Sequence, residues 1–368
     1  MKHPFSPRGP RALVAAAFLA TAAMAGAQPA VEQSSDWKAA NEAVGQFKRG
    51  HADLLKWEAA HGANAAPDAA ATAGFPVPSL EAATRLAWRP HLELQKVLPR
   101  LGDDNVTRIA QGRWHEVDAR HQRRIEGVGE VFEVAADARR AWLRAVADQQ
   151  AVRLQRSSLE AAEAAAELGR RMVKVGNWSA YQQSRVELGL ASERRALQQA
   201  AAAARQSERA LLHTLQLNGV HERLALPDTL PDLPKHALSP AELGARLAEI
   251  KAQLPRVDQW KVEANFGQAL ASRDATLAVA RGLRDDVMVQ RQLIVDESVL
   301  QYNGMLKSVW ELLTEVQAHA QSQRETIAAV RDYWLADTDL MWVLQGGEPT
   351  AFVAPGGAAA GEAPATAH

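Results

Sequence analysis

Apolar residues recur at seven-residue intervals through the middle of the chain. They are Val131, Ala138, Ala145, Val152, Leu159, Ala166 and Val173, on a stretch without Pro and without Gly before Gly169. A seven-residue repeat places these side chains along one side of a helix, facing a partner helix. The pattern predicts one long helix from Val131 to Lys174, about 65 Å in length at 1.5 Å per residue.

A short break ends this helix, and a second heptad stretch follows it. The break is Gly176-Asn177-Trp178-Ser179, and the apolar residues beyond it are Leu190, Leu197, Ala204 and Leu211. A Gly-Asn break between two heptad helices predicts a tight antiparallel hairpin.

The second half of the chain repeats this scheme. Ser239-Pro240 starts a short helix, as Ser79 does in the first half, and a longer helix then runs to about Gln301. A second Gly-Asn corner follows at Tyr302–Met305, before another heptad helix. Aligning Gly176–Ser179 with Met305–Ser308 superimposes the two corners. The pattern therefore predicts a tandem duplication of short helix, long helix, corner and long helix.

The remaining segments complete the predicted organisation. Positive charges precede an apolar run that ends in Ala25-Gly26-Ala27, which is typical of a cleaved signal peptide and predicts export to the periplasm or the outer membrane. The predicted parts are a signal peptide (1–27), a short helix with an Ala/Gly/Pro linker (28–78), a first repeat (79–225), a Pro-rich crossover (226–240), a second repeat (241–345) and a disordered tail (346–368).

Composition excludes several classes of function. The 368 residues carry a formal net charge of -1, which provides no general attraction for nucleic acid. The absence of Cys excludes disulfides and thiolate chemistry. Phosphate-binding loops and nucleophile elbows are also absent, and carboxylate pairs such as Asp103-Asp104 and Asp285-Asp286 lie in charged stretches. We expect no enzyme and no cofactor.

Histidines supply the only candidate metal ligands. His115 and His121 are six residues apart, a spacing that does not put both on one face of a helix, so a solvated polar segment is the better interpretation. A loose site formed by His213, His221 and His236 is the alternative, but exposed loop histidines are the better interpretation of this pattern. No metal site is predicted.

Several short motifs together resemble the outer-membrane efflux proteins of the TolC type. They are Ser79–Ala87 at the opening helix, Val134–Trp142 at the first long helix, Val173–Ser179 and Tyr302–Ser308 at the two corners, and Arg331–Ala336 at the closing helix. The resemblance implies an envelope protein of an export assembly. It also implies that the corners meet a periplasmic adaptor, and that the protein is a homo-oligomer, a trimer in that family.

One departure from the family changes the predicted fold. Family members carry amphipathic strands before each first long helix, at the places of Pro99–Gly129 and Val257–Val289 in this chain. A barrel strand needs about 10 residues of alternating apolar and polar side chains, and neither segment has that alternation. We therefore predict an all-α fold of long antiparallel coiled-coil-like hairpins in a tandem repeat of two, TolC-like without a membrane β-barrel.

The leading functional hypothesis is a non-catalytic TolC-like protein acting by coiled-coil contacts in or beside a periplasmic efflux assembly. Its predicted docking residues are the corner residues Gly176, Asn177, Trp178, Ser179, Asn303, Gly304, Met305 and Ser308. Trp178 is interpreted either as packing between its own two helices or as an outward docking residue. The alternatives are an efflux channel subunit with unrecognised strands and a periplasmic metal-binding or stress protein.

Overall fold

The computed structural model describes residues 74–118, 124–349 and 351–354. The predicted signal peptide, nearly all of the predicted linker region and residues 355–368 of the predicted tail lie outside the described residues, as does His121. Within the described ranges, no helix combines the length and the apolar character needed to cross a membrane.

The described chain is built almost wholly from helices. They are α1 (Leu80–Trp88), α2 (Leu94–Leu101), α3 (Asp103–Ala110), a 3-10 turn (Trp114–Glu116), α4 (Val128–Lys174), α5 (Ala180–Thr214), α6 (Pro240–Lys251), α7 (Arg256–Arg281), a π-helical turn (Gly282–Val287), α8 (Met288–Asn303) and α9 (Val309–Val343). The described strands are β1 (Phe75–Pro76) and β2 (Leu224–Ala225), which pair in parallel. The predicted all-α fold is confirmed.

Helices α4 and α5 form the first hairpin. Ala138 and Ala145 of α4 lie in the core that contains Leu211 of α5, and Ala166 packs with Leu190 of α5. Val131 instead lies in the core around Trp114. Val131, Ala138, Ala145, Val152 and Ala166 are buried, while Leu159 and Val173 are half-buried. Small alanines along α4 let the partner helices approach closely, since they project little beyond the backbone.

The second hairpin matches the first in length except for one residue. Helices α5 and α9 both have 35 residues. The rod α7–α8, from Arg256 to Asn303, is one residue longer than α4 and contains the π-helical turn. A π turn holds one extra residue per turn, so it absorbs the insertion and keeps the buried positions before and after it on one side. These lengths support the predicted duplication.

The four long segments form one layer, in the order α5, α4, α9 and then α7–α8. Each packs chiefly against its neighbours in this order. Helix α1 lies on α4, where Trp88 Nε1 donates to the Val131 carbonyl at 3.0 Å. Two outer helices of the layer, α5 and α8, therefore keep one long side without a neighbour from the described chain.

The two repeats differ in what precedes their first long helix. In the first repeat, residues 89–127 hold α2, α3 and the 3-10 turn, which surround a core that includes Trp114 and Phe132. In the second repeat, only residues 252–255 separate α6 from α7. The segment Val257–Val289, where strands were considered from sequence, lies within the continuous rod α7–α8.

Residues 351–354 pack against the folded chain, although they belong to the segment predicted to be disordered. Phe352 lies against the core around Trp114, and the Ser272 hydroxyl donates to the carbonyl of Val353. The composition of the tail predicted disorder from residue 346. The apolar side chains of Phe352 and Val353 are nevertheless partly buried against the folded chain.

Charged residues interrupt the interior where α4, α7 and α9 meet. Asp337 of α9 faces Arg139 of α4 and Arg273 of α7, and burial raises the pKa of Asp337 although both arginines oppose the shift. Arg139 is buried, and its Nη1 atom has no hydrogen-bond partner within the described residues. A Cβ atom at Gly112 would lie 2.4 Å from that Nη1 atom, so the backbone of Gly112 covers the guanidinium.

Candidate functional site

The two hairpin corners, residues 175–179 and 304–308, lie together at one end of the layer, called here the corner end. Trp178 of the first corner stacks on Trp310 at the start of α9, with ring centroids 4.1 Å apart and planes inclined by 25°. Stacked aromatic pairs contribute about 0.5–1.5 kcal/mol beyond the area they bury. The stack therefore joins the two hairpins where their chains turn.

The first corner turns on a glycine. Gly176 has φ of 78°, and the N–H of Asn177 donates to the Met172 carbonyl at 2.9 Å. This is the Schellman arrangement, in which a left-handed residue lets the chain satisfy the last helical carbonyls. Glycine adopts the left-handed region without steric cost, as the sequence predicted for this corner.

The second corner has the same geometry on a different residue. Met305 has φ of 60°, and the N–H of Leu306 donates to the Gln301 carbonyl at 2.8 Å. Gly304 has φ of -81°, and the preceding Asn303 is the last residue of α8. The left-handed residue of the second corner is therefore Met305, the residue that the alignment of the two halves pairs with Gly176.

Both helices that leave the corners begin with a capping box. The Ser179 hydroxyl accepts from the Gln182 N–H at 3.3 Å, while the Gln182 side chain accepts from the Ser179 N–H at 3.0 Å. Ser308 and Glu311 repeat the arrangement at 3.3 and 2.8 Å. These reciprocal bonds satisfy N–H groups that a helix start leaves free, so they fix where α5 and α9 begin.

Trp178 occupies a position that neither interpretation from the sequence described. Its indole lies between the two hairpins, half-buried, with Trp310 on one side and the backbone of Gly169 on the other. A Cβ atom at Gly169 would lie 3.1 Å from Trp178 Cζ3. The sequence could not reveal the stack of Trp178 on Trp310, because these two residues belong to different hairpins.

A groove of about 520 Å³ runs from the tryptophan stack along the layer. Its floor is Ala162 and Ala165 of α4, and its walls come from α5 and α9. The other lining residues are Trp178, Gln182, Arg185, Val186, Gly189, Leu190, Trp310, Leu313, Thr314 and Gln317. The mixture of apolar and polar side chains suits a protein surface better than a small charged ligand.

Large apolar side chains project from the corner end into solvent. Val175 is 68% exposed, Met305 73% and Leu306 81%. The other predicted corner residues, Gly176, Asn177, Ser179, Asn303, Gly304 and Ser308, are also exposed. The sequence interpretation missed Val175 and Leu306, which the position of each corner between two helices could have indicated.

Ionisable groups near the corners are held as charges. Arg170 lies 2.6 Å from Glu187 and 3.1 Å from Glu167, and hydrogen bonds from Arg171 and Arg170 lower the pKa of Glu167. The Ser308 backbone N–H and hydroxyl lower the pKa of Glu311. Carboxylates held ionised in this way do not carry protons near neutral pH, so these groups are unsuited to acid catalysis.

The histidines considered as ligands are scattered. His115 is half-buried, and burial lowers its pKa. His213 is in the last turn of α5, His221 lies between α5 and β2, and His236 lies in the crossover. In the part of the chain that the structure describes, no three His, Asp or Glu side chains are grouped to hold a metal ion.

Comparison with solved structures gives distant matches. No protein-family model and no curated protein matches the chain. A membrane protein from Pseudomonas aeruginosa matches at 13% identity, covering 65% of this chain and 74% of that one, with a TM-score of 0.47. The Campylobacter jejuni CmeC outer membrane channel matches at 10% identity over 66% and 68%, with a TM-score of 0.43. CusC, described in connection with transmembrane channel formation, matches at 9% identity over 66% and 74%, with a TM-score of 0.45. The fold assignment rests on the helices of this chain.

Proposed function

We propose that this chain is a non-catalytic protein of the cell envelope that works by helix contacts in or beside a periplasmic efflux assembly. The proposal includes export by a cleaved signal peptide and a corner end that docks a periplasmic adaptor or another pump component. It also includes self-association, as a trimer if the chain follows the family that its motifs resemble.

The observation that carries the proposal is the pairing of two equivalent corners at one end of a long helical layer. Gly176 and Met305 give the two corners the same backbone turn, and the Trp178–Trp310 stack sets them side by side. Three large apolar side chains, Val175, Met305 and Leu306, are exposed together at this end. Solvent-exposed apolar side chains on a rigid support are typical of docking surfaces.

The groove behind the stack supports the same interpretation. Alanines at its floor leave room for another helix to lie between α5 and α9, and helix-in-groove contact is a common mode of recognition. A partner that reaches Leu306 and enters this groove would contact both hairpins at once.

A matched pair of surface variants tests the docking surface. Leu306→Asp changes an exposed corner side chain, while Leu92→Asp changes a side chain that is 77% exposed and precedes α2, outside the corner end. Neither change removes a buried contact, so both variants should fold. The tagged full-length chain and the two variants would be purified from the native envelope, and the co-purifying proteins would be quantified by mass spectrometry.

We expect a periplasmic pump component to co-purify with the parent chain and with Leu92→Asp, and its yield to fall at least about tenfold with Leu306→Asp. Equal recovery with both variants would remove the corner end as the docking surface. Recovery of cytosolic proteins alone, or an uncleaved N terminus, would contradict the proposed location.

A further inference from the structure

A cavity lies on the helical layer where α5 stops and α4 continues, far from the corner end. Helix α4 has 47 residues and α5 has 35, so α5 ends at Thr214 beside the first half of α4. The cavity formed there has a volume of about 410 Å³ and is called here the α4–α5 cavity. A concave site of this size suits a small organic molecule.

The lining of the α4–α5 cavity combines apolar and basic side chains. Val134 and Ala141 of α4 and Ala210 of α5 provide apolar surface. The basic side chains that line it are Arg140, Arg144, His91 and His213. Apolar walls with a few polar groups at defined positions are characteristic of sites that bind small molecules.

Arg140 is held by carboxylates of the chain itself. Its Nε donates to Asp339 Oδ1 at 2.8 Å, and its Nη1 donates to Asp137 Oδ1 at 3.0 Å. The guanidinium also lies over the indole of Trp342, 4.7 Å from the ring centroid. Two carboxylates therefore balance the charge of Arg140, and the lining carboxylate, that of Asp137, is already engaged.

Arg144, one turn further along α4, is exposed and has no such partner. It forms neither an ion pair nor a hydrogen bond with any residue that the structure describes. Asp148 follows four residues later, but a basic residue before an acidic one is the weaker order for a pair on a helix, and the two side chains do not bond. Arg144 therefore brings a free positive charge to the cavity.

The hydroxyl groups of the cavity do not compete with Arg144 as donors. The Ser207 hydroxyl donates to the Ala204 carbonyl at 3.2 Å, and the Thr214 hydroxyl donates to the Ala210 carbonyl at 3.0 Å. Both protons are thus directed into α5 itself. A ligand anion would find its charged donors on Arg144.

A neighbouring groove of about 470 Å³ begins at the same arginine. Arg144 and Ala210 line both hollows, and the half-buried Phe352 lines the groove. The other arginine of the groove, Arg331, lies 2.7 Å from Asp332. The unpaired guanidinium of Arg144 therefore lies between two hollows that both carry apolar side chains.

We propose that Arg144 binds the carboxylate of a small organic acid whose apolar body fills the α4–α5 cavity. The planar guanidinium presents parallel N–H donors that match the two oxygens of a carboxylate. One unpaired arginine balances one negative charge, so the site favours a monocarboxylate over a polyanion. Arg144 lies about 45 Å along α4 from Lys174 at the corner, so this site is separate from the docking surface.

Binding of naphthoate to the full-length chain tests the site, with naphthamide as a neutral probe of similar shape. Isothermal titration calorimetry gives both affinities. Arg144→Gln should weaken naphthoate binding about tenfold or more, because a charge-assisted pair is lost. The matched control is Arg156→Gln, which removes another exposed and unpaired arginine of α4, about 18 Å further along the helix, and should leave the affinity unchanged.

A second variant tests the cavity separately from the charge. Ala210→Phe places a ring in the cavity and leaves Arg144 intact. Because Ala210 is exposed, the larger side chain displaces no buried neighbour, and circular dichroism would verify that the helices are intact. This variant should also weaken naphthoate binding about tenfold or more, because the apolar body loses its place. Inorganic phosphate, an anion without an apolar body, should bind the parent chain more weakly than naphthoate.

The outcomes decide the proposal without reference to the corner end. Failure of naphthoate to bind at millimolar concentration would overturn it, as would equal binding of naphthamide or of inorganic phosphate. Equal effects of Arg144→Gln and Arg156→Gln, or unchanged binding in Ala210→Phe, would overturn it as well. Weaker binding confined to Arg144→Gln and Ala210→Phe would support it. None of these results bears on Leu306 and its partner.

Discussion

Replacing the left-handed residue of each corner should change stability in opposite directions. Gly176 and Met305 occupy equivalent positions with φ of 78° and 60°. A non-glycine residue pays about 1–2 kcal/mol in this region, while glycine gains about 0.4–1 kcal/mol of chain freedom in the unfolded state. No atom lies within 4 Å of a Cβ built at Gly176, so the change there is purely one of backbone conformation.

The difference between these two contributions is about 0.5–1 kcal/mol, so we expect Gly176→Ala to destabilise the chain by about that amount and Met305→Gly to stabilise it by about the same amount. In a chain of this size, 1 kcal/mol shifts the melting temperature by about 2 °C. Urea denaturation followed by circular dichroism gives the free energy of unfolding, and hydrogen exchange at residues next to each corner locates the effect.

Gly267→Ala is the matched control for these two variants. Gly267 lies inside α7 with nothing within 4 Å of a built Cβ, so alanine should stabilise that helix by up to about 1 kcal/mol. If Gly176→Ala stabilises the chain as Gly267→Ala does, or if Met305→Gly destabilises it, the two corners do not share a left-handed turn. The duplication argument would then lose its strongest structural support.

Three further predictions concern the interior and the tryptophan stack. Trp178→Ala and Trp310→Ala should show a coupling of about 0.5–1.5 kcal/mol in a double-mutant cycle of unfolding free energies, and additive costs would exclude the stack. Because burial raises the pKa of Asp337 above its usual 3.8, its contribution to stability is present below 3.8 and is lost as pH rises through the higher pKa of the folded state. Asp337→Asn should accordingly be more stable than the parent across that range, and a difference independent of pH would contradict the raised pKa of Asp337. Gly112→Ala should cost about 1–3 kcal/mol more than Gly102→Ala, since both residues have positive φ but only Gly112 covers a buried guanidinium; equal costs would refute that contact.

The helices were predictable because their determinants are local. The heptad from Val131 to Val173 and the serines that cap α1, α5, α6 and α9 can be recognised in a single stretch of sequence. The left-handed residue of the second corner was not predictable from a single stretch of sequence. Asn303-Gly304 is a strong turn signal, whereas methionine is an unusual residue in the left-handed region that Met305 adopts. The alignment of the two halves contained the correct answer, because it paired Gly176 with Met305.

The sequence pattern did not predict the contacts between the two repeats. On α9, Leu312 is buried, whereas the next residue, Leu313, is half-buried and lines the groove. A heptad pattern defines one face of a helix, whereas α9 contacts both α4 and the α7–α8 rod. For the same reason the stack of Trp178 on Trp310 could be found only once both hairpins were placed.

Photo-cross-linking in the native host tests most directly whether the corner end docks an envelope partner. A benzoylphenylalanine at Leu306 and, in a separate strain, at Leu92 would be irradiated in intact cells, and the cross-linked proteins identified by mass spectrometry. The account predicts that a periplasmic component of an export system is linked at Leu306 and is absent at Leu92. The same products at both positions, or none at Leu306, would contradict it.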